Sequence, residues 1–148
     1  MAPIEGEYEP SPWPLVRDQV ELYERTDGRE GNTFQETGLP VIIVTTRGNK
    51  SGKVRKTPLM RVEHEGKYAL VASMGGAPKN PVWYHNLKAQ PEAMIQDGAE
   101  RSDFHVRELD GPERELWWKR AVAAYPPYAD YQARTKRVIP VFLAQRTN

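Results

Sequence analysis

No cysteine occurs anywhere in the 148 residues, which removes disulfides, thiolate nucleophiles and cysteine-ligated metals or clusters and makes the cytoplasm the expected compartment. Long apolar runs are missing too. No stretch approaches eighteen consecutive apolar residues, and the start, MAPIEGEYEPSPWP, lacks the basic and apolar blocks of a secretory signal, so neither export nor stable membrane insertion is expected. The three histidines, His64, His85 and His105, fall in separate segments without a ligand spacing, which argues against a metal centre. Charge of one sign is absent from the total: the net +1 is too small for a protein that binds nucleic acid along its whole surface.

What is present is a local excess of positive charge. Positions 37 to 62 hold Arg47, Lys50, Lys53, Arg55, Lys56 and Arg61 with no acidic residue, a concentration suited to one anionic group or one surface patch. A weak peripheral contact with an anionic membrane face is the only membrane role this patch suggests. Thirteen prolines announce interrupted elements, and the length suits one domain over 1–148.

Ser11 and Pro12 read as the start of a helix carrying Trp13, Val16, Val20 and Tyr23 on one stripe, so 1–35 forms an N-terminal helix and linker. Strands are expected at Val41–Thr46, Thr57–Val62, Lys67–Ala72, Ala93–Gln96, Phe104–Leu109 and Val138–Leu143, with Pro140 marking an edge or bulge. Asn80 and Pro81 open a short second helix. Asp110 and Pro112 open a third, whose buried face is Leu116, Trp117, Ala121 and Tyr125 and which stops at Pro126-Pro127. The pattern is mainly β (α+β): a split β-barrel over 41–145 of about six mostly antiparallel strands, with three helices.

Three segments have residue types suited to chemistry. The turn from Arg47 to Lys56 is not a Walker loop, because its glycines are misplaced and Val54 stands where a hydroxyl should follow the lysine. It is either an anion clamp of backbone amides and cations or a solvated hairpin tip. The segment Ser73-Met74-Gly75-Gly76-Ala77-Pro78-Lys79-Asn80-Pro81 lets a planar ligand approach the backbone beside a cation, or is an ordinary strand-to-helix turn. Tyr125, Tyr128 and Tyr131, spaced by three around two prolines, either line an aromatic pocket or are amphipathic side chains half buried in the fold. Ser51 and Ser73 have no nucleophile-elbow setting, so a serine hydrolase is not expected, and Trp83, Trp117 and Trp118 have the character of packing residues.

Taken in order, Lys50-x-Gly52-x-x-Arg55-x-x-Pro58-Leu59, then Ala72-Ser73-x-Gly75-Gly76-x-x-Lys79-Asn80-Pro81-x-Trp83-Tyr84-x-Asn86-Leu87, then Tyr125-Pro126-x-Tyr128-x-x-Tyr131 closely resemble the deazaflavin-dependent nitroreductase and oxidoreductase family. The resemblance runs from about Val41 to Leu143. It implies a split barrel that transfers a hydride from reduced coenzyme F-420 to an electron-poor acceptor, a quinone or a nitroaromatic. By the same resemblance Lys50 and Arg55 hold the coenzyme's phosphate and tail carboxylates, helped by Gly52, Lys53, Lys56 and Lys79. Pro58, Leu59, Ala72, Ser73, Trp83 and Asn86 border or support the deazaflavin ring, with Met74, Gly75 and Gly76 at its polar edge. Met60, Tyr125, Tyr128 and Tyr131 bound the acceptor, and Tyr131, Tyr128 or Ser73 donates the hydrogen bond or proton that stabilises it. Met74 stands where some relatives carry a basic residue, and Met60 where an aromatic occurs. FMN in the same groove is the alternative coenzyme, and a non-catalytic carrier of a lipid or amphiphile is the alternative from another class. Pairing into a homodimer is compatible with this type of barrel.

Overall fold

A computed structural model describes residues 4–34 and 37–147. In chain order the elements are α1 (Pro14–Arg25), β1 (Val41–Arg47), β2 (Val54–Met60), β3 (Glu63–His64), β4 (Lys67–Val71), α2 (Val82–Ala89), β5 (Glu92–Asp97), β6 (Glu100–Glu108), α3 (Gly111–Ala124), α4 (Pro127–Arg134) and β7 (Val141–Arg146), with a single 3-10 turn at Met74–Gly76. The seven strands form one curled sheet in the order β2-β1-β5-β6-β7-β4-β3, every pair antiparallel. This is the expected half-closed, mainly β architecture.

Burial explains why the first four residues of β1, Val41 to Val44, are all apolar. Val41 and Ile43 face a core with Val20, Tyr23, Trp117, Tyr125, Tyr128 and Leu143, while Ile42 and Val44 face a second core with Leu70, Trp83, Leu87, Phe104 and Phe142. A central strand of a sheet covered on both faces has no solvent side, so strict alternation is lost. α1, α3 and α4 cover the first core, and α2 covers the second. α1 is further pinned by the Tyr23 hydroxyl, which accepts the Gly98 N–H at 2.7 Å.

Several expectations need correction. There are seven strands and four helices among the described residues, because β3 is a two-residue pairing too short to show in periodicity and because Pro126-Pro127 ends α3 and starts α4. Proline at a first helical position costs no hydrogen bond, so the proline pair is a joint between two helices. β2 begins at Val54 and stops at Met60, placing Arg55 and Lys56 on the strand and not in the turn. β7 begins only after Pro140 and runs to Arg146, past the expected barrel limit at 145, with Val138 left exposed. It lies between β6 and β4, so Pro140 marks a strand start and not an edge. α1 begins at Pro14, later than Ser11 and Pro12 suggested; Trp13 is 71% exposed, and the Ser11 hydroxyl accepts the Trp13 N–H in the turn before it. Leu116 is also exposed, leaving Trp117, Ala121 and Tyr125 as the buried face of α3 and its C-terminal end. Asn80 does not cap α2; its Oδ1 accepts a hydrogen bond from Arg137 at 2.7 Å.

Candidate active site

The interior of the curl opens into a cavity of about 810 Å³, a size ordinary for a small-molecule site. Its walls bring together residues from all three sequence motifs. Thr57, Pro58, Leu59 and Met60 come from β2, Ser73, Met74 and Gly75 from the loop after β4, Trp83 from α2, and Tyr125, Tyr128 and Tyr131 from the α3–α4 joint. Pro58 is tolerated because β2 hydrogen-bonds to β1 along one side only, and a proline on an edge strand leaves no ladder bond unmade.

The tyrosines form a packed triad. The Tyr125 and Tyr131 hydroxyls are 2.8 Å apart, the Tyr125 and Tyr128 rings meet edge to face at 4.9 Å, and the Arg134 guanidinium lies over the Tyr131 ring at 5.4 Å. Burial, and then the bond to Tyr131, pushes the Tyr125 hydroxyl up to about 12. Burial, reinforced by its two neighbours, pushes the Tyr128 hydroxyl up as well. Both are therefore protonated at neutral pH, and the cavity presents neutral hydroxyl donors on a flat aromatic wall.

The loop after β4 is held from behind. The Arg137 guanidinium donates to the carbonyls of Ser73 at 2.8 Å, Ala77 at 2.9 Å and Ala72 at 3.1 Å, as well as to Asn80. Met74 takes a left-handed conformation at φ 46°, which a side chain accepts only where its surroundings enforce it. Gly76 has a packing use that the motif did not suggest. A Cβ there would stand 2.8 Å from the Tyr131 carbonyl oxygen, so this glycine admits α4 to the loop, whereas a Cβ on Gly75 would meet nothing within 4 Å.

The basic residues lie outside the cavity wall, and most are already paired. Arg55 donates to Glu9 at 2.6 Å, Lys56 to Glu24 at 2.6 Å, and Lys53 lies 3.8 Å from Glu7 and 3.9 Å from Glu9. Lys50 and Lys79 have no carboxylate partner among the described residues. Glu7 and Glu9 reach these cations because residues 7 to 9 run along the open edge of β2, where Val54 N–H donates to Glu7 and Glu9 N–H to Val54. Ala72 is fully buried behind the loop. Asn86 is buried too, its Oδ1 accepting the Asn49 N–H at 2.8 Å and its Nδ2 donating to Thr46, so it fastens the basic turn to α2. Gly52 sits in that turn at φ 72°.

Two contributions were not read from the sequence. Leu15, Gln19 and Leu22 line the cavity from α1, forming a second stripe at i, i+4 and i+7 that lies beside the stripe of Val20 and Tyr23 and was legible in the spacing. Arg137 had no such signal, since nothing local singles it out from its basic neighbours Arg134 and Lys136.

The arrangement is a small-molecule site in a split barrel: a cavity with an apolar aromatic wall and neutral hydroxyl donors, with the basic turn and β2 beside it. The family model for the F-420H(2)-dependent quinone reductases matches residues 15–146, and the chain belongs to that family. An F-420H(2)-dependent quinone reductase of Mycobacterium tuberculosis is 34% identical over 135 residues, 89% of this chain and 90% of the relative. Among solved structures, an F-420H(2)-dependent reductase is 59% identical at a TM-score of 0.69, covering 72% of this chain and 94% of its own. A protein described as a domain-swapped dimer is 52% identical at a TM-score of 0.72, covering 91% of this chain and 100% of its own. The chain is thus an enzyme of the reductase type whose coenzyme is F-420. Of the two alternatives, the non-catalytic carrier is set aside and FMN becomes the minor case.

Proposed function

We propose that this chain reduces a quinone, with the coenzyme's ring lying in the cavity against Pro58, Leu59 and Trp83 and the acceptor stacked toward Tyr125, Tyr128 and Tyr131. The observation that carries the reading is that one cavity gathers β2, the loop after β4, α2 and the α3–α4 joint, so that a flat ligand touches all three motifs at once. Bound F-420 supplies a hydride, and the protein's part is to fix distance, orientation and field.

The residues present suit that group. Pro58, Leu59 and Trp83 offer apolar surface to a fused ring, and the backbone at Ser73–Gly75 offers a polar edge. The tail would leave the cavity toward Lys50, Gly52, Lys53, Arg55 and Lys56 on one side, with Lys79 adding to the field. To engage Arg55 it would take the place of Glu9, exchanging one carboxylate for another. As the acceptor gains electrons its oxygen becomes basic, and a hydroxyl of Tyr131 or Tyr128, or that of the buried Ser73, hydrogen-bonds to it or yields a proton. We favour Tyr131 for this role, a reading supported by the Tyr125 hydroxyl 2.8 Å away, which can orient the Tyr131 hydroxyl. We place the reaction in the cytoplasm, where a diffusible hydride carrier is re-reduced, and we propose that the chain pairs with a second copy, a reading supported by the domain-swapped relative.

The test is a titration with reduced F-420 followed by oxidation kinetics with menadione. Lys50→Ala should weaken coenzyme binding by about tenfold at low salt and less at high salt. Tyr131→Phe should lower turnover by about tenfold to a thousandfold while leaving coenzyme affinity nearly intact. Unchanged affinity in Lys50→Ala and in Arg55→Ala would remove the tail assignment.

A further inference from the structure

Arg137 stands outside every motif discussed above, yet it makes more hydrogen bonds to the cavity's loop than any other side chain. Its guanidinium is half buried, has no carboxylate partner among the described residues, and directs all its contacts at Ala72, Ser73, Ala77 and Asn80. Burial without a counter-ion holds its basicity below the usual guanidinium value. Isolated surface arginines have no need of such an arrangement. Four charge-assisted bonds to one short loop fix that loop's backbone.

Which way the backbone faces then follows from peptide geometry. In a planar trans peptide the N–H points opposite the preceding carbonyl, and the chain has no cis bonds among the described residues. The Ala72 and Ser73 carbonyls point at Arg137, so the N–H groups of Ser73 and Met74 point away from it. Neither of these amides, nor that of Gly75, has a hydrogen-bond partner among the described residues, and all three residues line the cavity. Ser73 is right-handed (φ −76°, ψ −41°) and Met74 left-handed, the alternation that makes successive amides converge on one point.

We infer that Arg137 is a positioning residue: it draws the carbonyls of residues 72, 73 and 77 to the back of the loop and so presents the amides of Ser73, Met74 and Gly75 to the electron-rich edge of the bound ring system. The inference rests on the coenzyme reading of the cavity. The guanidinium adds to the turn's own bonds, in which the Ser73 carbonyl accepts the Gly76 N–H at 2.9 Å and the Met74 carbonyl the Ala77 N–H at 3.1 Å, a second hold on the left-handed Met74.

Arg137→Lys keeps the charge and loses the fork, and Arg137→Met keeps much of the length and loses both. Three measurements on the full chain decide. Amide hydrogen exchange in the segment 72–80, without coenzyme, should speed up in both variants while the sheet strands stay protected. Affinity for a deazaflavin lacking the phosphate and glutamate tail should fall about tenfold, the scale of one lost charge-assisted hydrogen bond, while the salt dependence of whole-coenzyme binding is kept. Free guanidinium ion should restore part of the lost ring affinity in Arg137→Met, and sodium ion at the same strength should not. If the unsubstituted chain binds the deazaflavin and Arg137→Lys binds it equally well with unchanged exchange, the inference is overturned and the cavity reading stands. Failure of the unsubstituted chain to bind any deazaflavin would overturn both.

Discussion

Tyr125 joins three properties that are seldom found on one side chain: a nearly buried ring, a hydroxyl shared with Tyr131, and a place on the wall of an open cavity. Its raised basicity makes a statement about stability. The folded chain holds the phenol proton up to about 12, whereas the unfolded chain releases it near the ordinary value of 10.0, so the folded form binds more protons in between. The contribution is therefore complete below pH 10 and is lost as pH rises toward 12. The thermal midpoint should fall over that window, and Tyr125→Phe should make the fall shallower without abolishing it, because burial also raises Tyr128, Tyr68 and Tyr23. A pH series of melting curves checks this, and an equal slope in the variant would mean that the Tyr125 hydroxyl is not held as described.

At the scale of elements, the N-terminal segment and β2 act as a unit. Residues 7 to 9 cover an exposed strand edge that would otherwise be free to pair with another chain, and in doing so they lay Glu7 and Glu9 on the same cations that the coenzyme tail is proposed to use. Glu9→Gln should therefore raise coenzyme affinity a few-fold at low salt. The cost to folding should be at most about 1 kcal/mol, since both side chains of the Arg55–Glu9 pair are partly exposed and solvent screens them. Titration at two salt concentrations separates this from the opposite case, in which Glu9 orients Arg55 and its loss weakens binding. The basic cluster between 37 and 62 was plain in the sequence, but its acidic partners were not. Glu9 is forty-six positions from Arg55, and Glu24 is thirty-two from Lys56. Pairing across such separations depends on α1 and the leading segment folding back over β2.

At the scale of the molecule, the sheet curls so that two cores form, one on each face of β1, and the site opens where the curl fails to close. No helix among the described residues is long and apolar enough to cross a membrane. If the chain pairs with a second copy as proposed, its thermal midpoint should rise with protein concentration, because mass action favours the folded dimer. Melting curves over a hundredfold concentration range, read beside sedimentation, would reveal it, and a constant midpoint with a monomer mass would remove the pairing.

Local chemistry determined much of the fold in advance, with a β-branched run forming β1 and glycine and proline punctuating the elements, while the three ordered motifs implied the coenzyme through their resemblance to a family. Even the tyrosine spacing was visible, although its helix was hidden by a proline pair that reads as a break from one side and as a start from the other. Tertiary structure alone decided which cations are already neutralised, which glycine makes room for α4, and that Arg137 grips the loop sixty-odd residues upstream. The physical reason is range. Propensity and periodicity act over a few neighbours, whereas ion pairs, close approaches and clamps exist only once the closed sheet has brought distant residues within about 3 Å of one another.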